Sequence, residues 1–169
     1  MAITMHSASV PVFAHALGNL TKWMDKAQAD AEARKYEPAV LLAARLAPDM
    51  LPFTRQIQIA CDSAKFCIAR LAGVEAPRHE DTETSFAELK ERIARTIAYV
   101  QSVPAAQIDG TEAKDIHVPR RSGTVVMKGE AYLKQFALPN FYFHVTTAYA
   151  LLRHNGVVLG KNDYLGLVS

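Results

Sequence analysis

The sequence predicts an all-α fold: one domain over residues 1–169, built as a four-helix bundle with a short β-hairpin inserted before the last long helix. Four long segments repeat apolar residues at spacings of three and four, the period of a helix that packs on one face. Only one short segment alternates apolar and polar residues, as a strand does. Four amphipathic helices close most simply around one core as a bundle, so we expect more than half of the residues to be helical.

The first long helix has the clearest apolar stripe in the chain. It is predicted to begin between residues 5 and 11 and to end near Pro38, because a proline disfavours helical geometry in the residue before it. A short helix over residues 38–42 and a proline-punctuated connection over residues 46–52 follow. The stripe consists of Val10, Phe13, Leu17, Leu20, Met24, Ala27 and Ala31.

The second long helix, predicted over residues 52–71 with Gly73 as its stop, has two apolar strips. The main strip faces the core, and Ile59 and Phe66 form the second, so this helix is expected to touch two partners. A four-helix core normally uses one broad face of each helix. Pairing of the second strip across a two-fold axis therefore predicts a homodimer. The main strip consists of Phe53, Ile57, Ala60, Ala64, Cys67 and Leu71.

The third long helix begins with a capping box, in which Ser85 and Glu88 satisfy each other's end of the backbone, and it ends near residues 102–104. Apolar and polar residues then alternate over residues 116–118 and 124–127 around a turn at residues 119–123, which predicts the hairpin. The long connection between the third and fourth helices indicates a crossover.

The last long helix is predicted over residues 129–154, with Asn155 and Gly156 as its stop. Pro139 is expected either to kink this helix or to split it. The tail over residues 160–165 is taken as too short for another element.

Composition excludes several classes of protein. Half of the residues are hydrophobic, 21% are charged and the mean hydropathy is close to zero, which excludes a disordered chain and a membrane protein. The net charge of +2 comes from intermingled basic and acidic residues, so no nucleic-acid partner is expected. The first residues lack the pattern of a secretion signal, which predicts a cytoplasmic protein. Cys61 and Cys67 are expected to be reduced core residues.

Two histidines are candidates for a site inside the bundle. His6 extends the first apolar stripe backwards, and His144 lies in a helix that is apolar on both sides. The strongest helical signal for a metal is two histidines four residues apart, but Ala148 stands four residues after His144. Gln58 and Asp62 are predicted to line a polar pocket beside His144; the alternative is a solvated helix face.

Three blocks of sequence carry a family resemblance: residues 7–13, residues 46–50 with 56–58, and residues 137–149 with 153–156. They resemble an uncharacterised bacterial domain-of-unknown-function family related to the DinB/YfiT-like metalloenzyme superfamily. The resemblance implies a DinB-like four-helix bundle, commonly dimeric. It also implies a divalent metal held by one histidine on the second long helix and an H-x-x-x-H pair on the last, used in some members for thiol-dependent transfer or isomerisation.

This chain departs from the superfamily pattern at two of the three ligands. His144 matches the first histidine of the pair, Ala148 replaces the second, and Gln58 stands at about the position of the histidine on the second helix. The sequence therefore favours a metal-free small-molecule-binding or interaction homodimer without a cofactor. Its predicted pocket consists of Gln58, Asp62, His144 and Tyr149.

The alternative function is a thiol transferase or isomerase that depends on a divalent metal such as zinc or nickel, held by His144, Asp62 and His6. His144 is central to both functions. A ligand or acid/base role predicts that one ring nitrogen is oriented by a neighbour while the other faces a cavity unpaired. A structural role predicts that both nitrogens are bonded within the protein.

Overall fold

A computed structural model describes residues 2–120 and 122–167. The fold is mostly helical, with 62% helix and 7% strand, which confirms the expected helical content. The helices and strands follow this order: α1 (Val10–Arg34), α2 (Ala39–Ala43), α3 (Phe53–Ala72), α4 (Phe86–Ser102), α5 (Ala105–Ile108), β1 (Asp115–Arg120), β2 (Gly123–Lys128), α6 (Gly129–Ala131), a π-helical segment (Tyr132–Ala137), α7 (Leu138–His154) and α8 (Lys161–Leu165).

The end of α3 and the start of α4 lie at the residues whose chemistry predicts them, whereas α1 ends at Arg34, before Pro38. Gly73 adopts the left-handed conformation, with φ of 74°, and closes α3. The capping box of α4 is formed: the Ser85 hydroxyl accepts from the Glu88 amide at 3.2 Å, and the Glu88 carboxylate accepts from the Ser85 amide at 3.0 Å. These caps satisfy backbone groups that a helix end otherwise leaves unpaired.

Helix α3 packs against α4 and α7, and α1 packs against the same two helices. The side chains between the long helices form one continuous hydrophobic core. Its largest members are buried almost completely, and each contributes roughly 1.5–3 kcal/mol by leaving water. They include Phe13, Leu17, Trp23, Met24, Phe53, Ile57 and Phe141.

The hairpin is the two-stranded antiparallel sheet that the alternation predicts. Ile116 pairs with Met127 and Val118 pairs with Val125. Ile116 and Val118 are buried, with β1 in contact with α3, whereas His117 between them is exposed. The predicted turn includes Arg121, which lies outside the described residues.

The expected interruption at Pro139 takes the form of a π-helical turn directly before α7. A proline inside a regular helix removes one amide donor and clashes with the carbonyl four residues earlier, and a wider turn relieves both problems. Gly129 begins this region against the Thr111 carbonyl. A Cβ atom at Gly129 would lie 2.0 Å from that oxygen, so only glycine fits at this junction.

The interpretation of the tail was wrong, because α8 forms there. Its amino end is fastened by the Asp163 carboxylate, which accepts from the Gly160 amide at 2.8 Å. Trp23 in α1 donates its indole N–H to the Asp163 carbonyl at 3.1 Å. Tertiary contacts of this kind hold a helix too short to be stable alone. The short helix α5 was not predicted either.

The two cysteines are core residues, as the sequence predicts. Cys61 and Cys67 are buried and unbridged, and burial raises the pKa of Cys61 to about 12 and also raises the pKa of Cys67. Both thiols therefore stay protonated and unreactive at neutral pH.

Within residues 2–120 and 122–167, no helix has the length and apolar character needed to cross a membrane.

Candidate functional site

His144 is oriented by a residue that the sequence analysis did not select. Gln56 in α3 donates its side-chain N–H to the Leu51 carbonyl at 2.9 Å, which turns its carbonyl oxygen towards α7. His144 Nδ1 lies 2.7 Å from that oxygen, so Nδ1 carries the proton and donates it. Nε2 therefore keeps its lone pair.

His144 is nearly buried, with 8% of its surface exposed, and burial lowers its pKa to about 4. The imidazole is consequently neutral at physiological pH. Nε2 has no hydrogen-bond partner in the described part of the chain. One ring nitrogen is thus oriented and the other is unpaired, as a ligand or acid/base role predicts. That role also predicts a cavity in front of Nε2, but His144 does not line the cavity beside the hairpin or the groove along α7.

Gln58 and Asp62 lie together on another side of α3, around the fully buried Arg92 of α4. The Gln58 side-chain N–H donates to Glu83 at 2.8 Å, and Arg92 donates to Asp62 at 3.0 Å and to Glu83 at 3.1 Å. Arg92 also pairs with Asp81 at 3.0 Å. We call these five residues the Arg92 network.

The Arg92 network fastens the loop between α3 and α4 onto both helices. Arg92 donates to the Glu80 carbonyl at 3.0 Å, and Lys65 forms a salt bridge with Asp62 at 2.9 Å. Burial opposes ionisation of Glu83, but the hydrogen bonds from Gln58 and Arg92 outweigh it and lower the pKa of this carboxyl. Gln58 and Asp62 therefore belong to the Arg92 network rather than to a solvated helix face or to a pocket beside His144.

Tyr149 belongs to an aromatic cluster that holds α8. Its ring meets Trp23 edge-on, with centroids 5.6 Å apart, and meets Tyr164 edge-on at the same distance. Trp23 and Tyr164 stack on each other at 5.6 Å. Such pairs stabilise packing by about 0.5–1.5 kcal/mol beyond the area they bury.

The four predicted pocket residues thus lie in three places: Gln58 and Asp62 in the Arg92 network, His144 beside Gln56, and Tyr149 against α1 and α8. The separation follows from helix geometry, because two positions along a helix rotate a side chain by about 200°. Gln56 could have been found, since it stands three residues after Phe53 and four before Ala60, both on the core strip.

The alternative metal ligands are also apart. His6 lies at the start of the chain, where its amide donates to Asp109 at 2.7 Å, whereas Asp62 and His144 are held by the groups just described. Among residues 2–120 and 122–167, no three His, Cys, Asp or Glu side chains are grouped so as to hold a metal ion.

A cavity of about 190 Å³ lies between α3, β1 and the π-helical segment, and we call it the hairpin cavity. Its polar groups are held in place: Asn140 donates to the Ser63 hydroxyl at 2.7 Å, and Arg70 donates to the Tyr132 hydroxyl at 3.1 Å. Of the predicted site residues, only Asp62 lines it. The lining residues are Ile59, Asp62, Ser63, Phe66, Arg70, Val118, Pro119, Tyr132, Phe136, Ala137 and Asn140.

A shallower groove of about 460 Å³, the α7 groove, runs along the outer side of α7. Its threonine hydroxyl groups are already engaged, because Thr146 bonds to the Tyr164 hydroxyl at 2.8 Å and Thr147 donates to the Phe143 carbonyl at 2.7 Å. The groove therefore presents mainly apolar surface. It is lined by Leu46, Tyr142, Phe143, Thr146, Thr147 and Ala150.

The arrangement of long helices with a hairpin before the last of them is a DinB-type fold. The chain is similar over 95% of its length to the crystal structure of a DinB family member protein from Shewanella denitrificans, with 45% sequence identity and a TM-score of 0.90 over 91% of that chain. The chain belongs to the DUF1993 family, a domain of unknown function whose model matches residues 5–165. These comparisons confirm the resemblance drawn from the sequence. No curated protein matches the chain.

Proposed function

We propose that this DUF1993 protein is a metal-free small-molecule-binding protein whose four long helices form a DinB-type four-helix bundle. Its ligand occupies the hairpin cavity. One observation carries the proposal: the cavity combines an apolar wall with polar groups whose positions are fixed by hydrogen bonds to neighbouring elements. This combination is typical of ligand sites, in which a few fixed polar groups orient a molecule against apolar surface.

The π-helical segment supports the same location. Tyr132, Phe136 and Ala137 all belong to this segment and line the cavity. A π-helical turn is less stable than regular helix and occurs frequently at functional sites. One wall of the cavity is therefore formed by a segment whose backbone departs from the regular α-helix.

Substitution of Ile59 by tryptophan tests the site, because the larger side chain projects into the hairpin cavity. We expect fragments detected by ligand-observed NMR with the unaltered protein to lose at least about tenfold in affinity, since binding and a filled cavity exclude each other. The matched control is Val126→Trp, on the exposed side of β2. Fragments that bind both variants equally well would contradict the proposed site.

We also propose a homodimer, now through the α7 groove. Phe66, in the strip that first suggested a dimer, is 38% exposed, but it lines the hairpin cavity together with Ile59, so pairing of this strip would cover the proposed ligand site. Phe143 is 55% exposed in the α7 groove beside Leu46 and Tyr142, which are also exposed. Sedimentation is expected to show a dimer that Phe143→Glu converts to a monomer; a monomeric unaltered protein of 18.6 kDa would remove this proposal.

The unpaired Nε2 of His144 is the observation that favours the second function, a divalent-metal thiol transferase or isomerase. The ligand set His144, Asp62 and His6 does not favour it, because Asp62 already neutralises Arg92 and Lys65. Elemental analysis of protein purified without a histidine tag separates the two functions. We expect no stoichiometric metal, and one zinc, nickel or iron per chain would favour the enzyme.

A further inference from the structure

We infer that the ligand of the hairpin cavity is a small organic anion, an apolar body carrying one carboxylate that Arg70 binds. This inference rests on the proposed function and specifies its ligand. The cavity, at about 190 Å³, is smaller than the roughly 300–1,000 Å³ of sites for drug-sized ligands, so its occupant is a small molecule.

Arg70 is held in the cavity wall by aromatic rings. Its guanidinium lies 5.2 Å from the ring centre of Phe66 and 5.9 Å from that of Tyr132, and one N–H donates to the Tyr132 hydroxyl. In the described chain it forms no salt bridge with a carboxylate, in contrast to Arg34, Arg55 and Arg92. The two aromatic rings thus position the Arg70 guanidinium, and its remaining N–H donors are available for a carboxylate.

A second arginine lies at the rim. Arg120 follows the lining residue Pro119, and its guanidinium lies 4.3 Å from the ring centre of Phe136, another lining residue. Arg120 likewise forms no salt bridge within the described part of the protein. Two guanidinium groups therefore flank one cavity, each resting on an aromatic ring of its wall.

The carboxylates near the cavity do not cancel this positive charge. Asp62 is neutralised by Lys65 and Arg92, both within 3.0 Å. Asp115 is paired with Lys128 at 2.7 Å, and Glu130 with Lys134 at 2.5 Å. The uncompensated charges facing the cavity are thus those of the arginines, and they favour an anion.

The wall of the cavity selects among anions. Ile59, Phe66 and Phe136 offer apolar surface, which is suited to a hydrocarbon or aromatic body. Arg70 is the guanidinium in the cavity wall, whereas Arg120 lies at the rim, so an anion inside the cavity meets one guanidinium that already uses one N–H. This matches the single charge of a carboxylate better than the double charge of a phosphate ester.

The test compares trans-cinnamate, phenylacetate and 4-phenylbutyrate with their primary amides and with phenyl phosphate, by isothermal titration and ligand-observed NMR. We expect at least one carboxylate to bind about tenfold or more tightly than its amide, because the charged donors of Arg70 bond a carboxylate more strongly than a neutral carbonyl. Arg70→Gln is expected to abolish this preference, so that the acid and its amide bind the variant with about equal affinity. Arg153→Gln, at an exposed position of α7, is the matched control.

The outcomes separate this inference from the proposed function. Amides that bind the unaltered protein as tightly as the acids, with displacement by Ile59→Trp, would overturn the anionic ligand and leave the cavity as a binding site. A preference for phenyl phosphate would overturn the carboxylate class. If neither acids, amides nor phosphate bind, both the inference and the proposed site are wrong. The comparison of acid with amide needs no variant, so it decides the matter even where Arg70→Gln fails to fold.

Discussion

Replacement of Arg92 by methionine is expected to lower the free energy of unfolding by about 3–5 kcal/mol, the usual cost of removing one partner from a buried ion pair. The Arg92 side chain is fully buried and reaches Asp62, Asp81 and Glu83. Methionine restores much of the hydrophobic volume but removes the shared cation, so that Asp62 keeps only Lys65, Asp81 keeps only Arg55, and Glu83 keeps no cation among the described residues. The Gln58 amide alone then remains on Glu83.

Urea unfolding of the Arg92→Met and Arg95→Met variants measures this effect against a matched control. Arg95 lies on the same helix at an exposed position, so its replacement is expected to change stability by no more than about 0.5 kcal/mol. Hydrogen exchange is expected to show that the loop over residues 75–84 opens first in the Arg92 variant. Equal stability of the two variants would show that the Arg92 network is not what holds this loop.

Acidification from pH 7 to pH 5 is expected to cost the protein about 2 kcal/mol through His144 alone, rising to about 3 kcal/mol near pH 4. Burial lowers the pKa of this imidazole from 6.5 to about 4 in the folded chain. Between these values the unfolded chain binds a proton that the folded chain does not. Stability is therefore full above about pH 6.5 and decreases as the pH falls towards 4.

Unfolding of the His144→Gln variant at several pH values isolates this contribution. Glutamine keeps a polar group beside Gln56 but does not titrate, so the variant is expected to lose about 2 kcal/mol less than the unaltered protein between pH 7 and pH 5. His79 also has a pKa lowered by burial and by the charges of Lys65, Arg92 and Arg95, but it is present in both proteins and its contribution cancels. Parallel pH profiles would mean that folding does not change the pKa of His144.

Local sequence chemistry predicted the parts of this fold that depend on neighbours along the chain. The capping box at Ser85, the stop at Gly73 and the alternation of the hairpin each concern residues within a few positions of one another, and each is present in the structure. The π-helical turn was missed in detail, because Pro139 signals a break without fixing whether the helix kinks, splits or widens.

The Arg92 network and the hairpin cavity are formed by residues far apart in the sequence, which is why the sequence analysis did not find them. Arg92 was not selected from the sequence, although this residue falls three residues after Leu89 and four before Thr96, both on the buried face. Its burial is stable only because a loop brings carboxylates to it. The hairpin cavity likewise exists only because β1 and the π-helical segment pack on α3, and no local pattern encodes that contact.

A backbone amide chemical-shift map of the ¹⁵N-labelled protein, titrated with the tightest-binding small molecule, tests the proposed ligand site most directly. The hairpin cavity predicts saturable shifts concentrated in residues 59–70 and 132–140 and at Val118. Shifts centred instead on Gln56 and His144 would place the ligand at the histidine and contradict the proposed site. Shifts that do not saturate anywhere would contradict small-molecule binding itself.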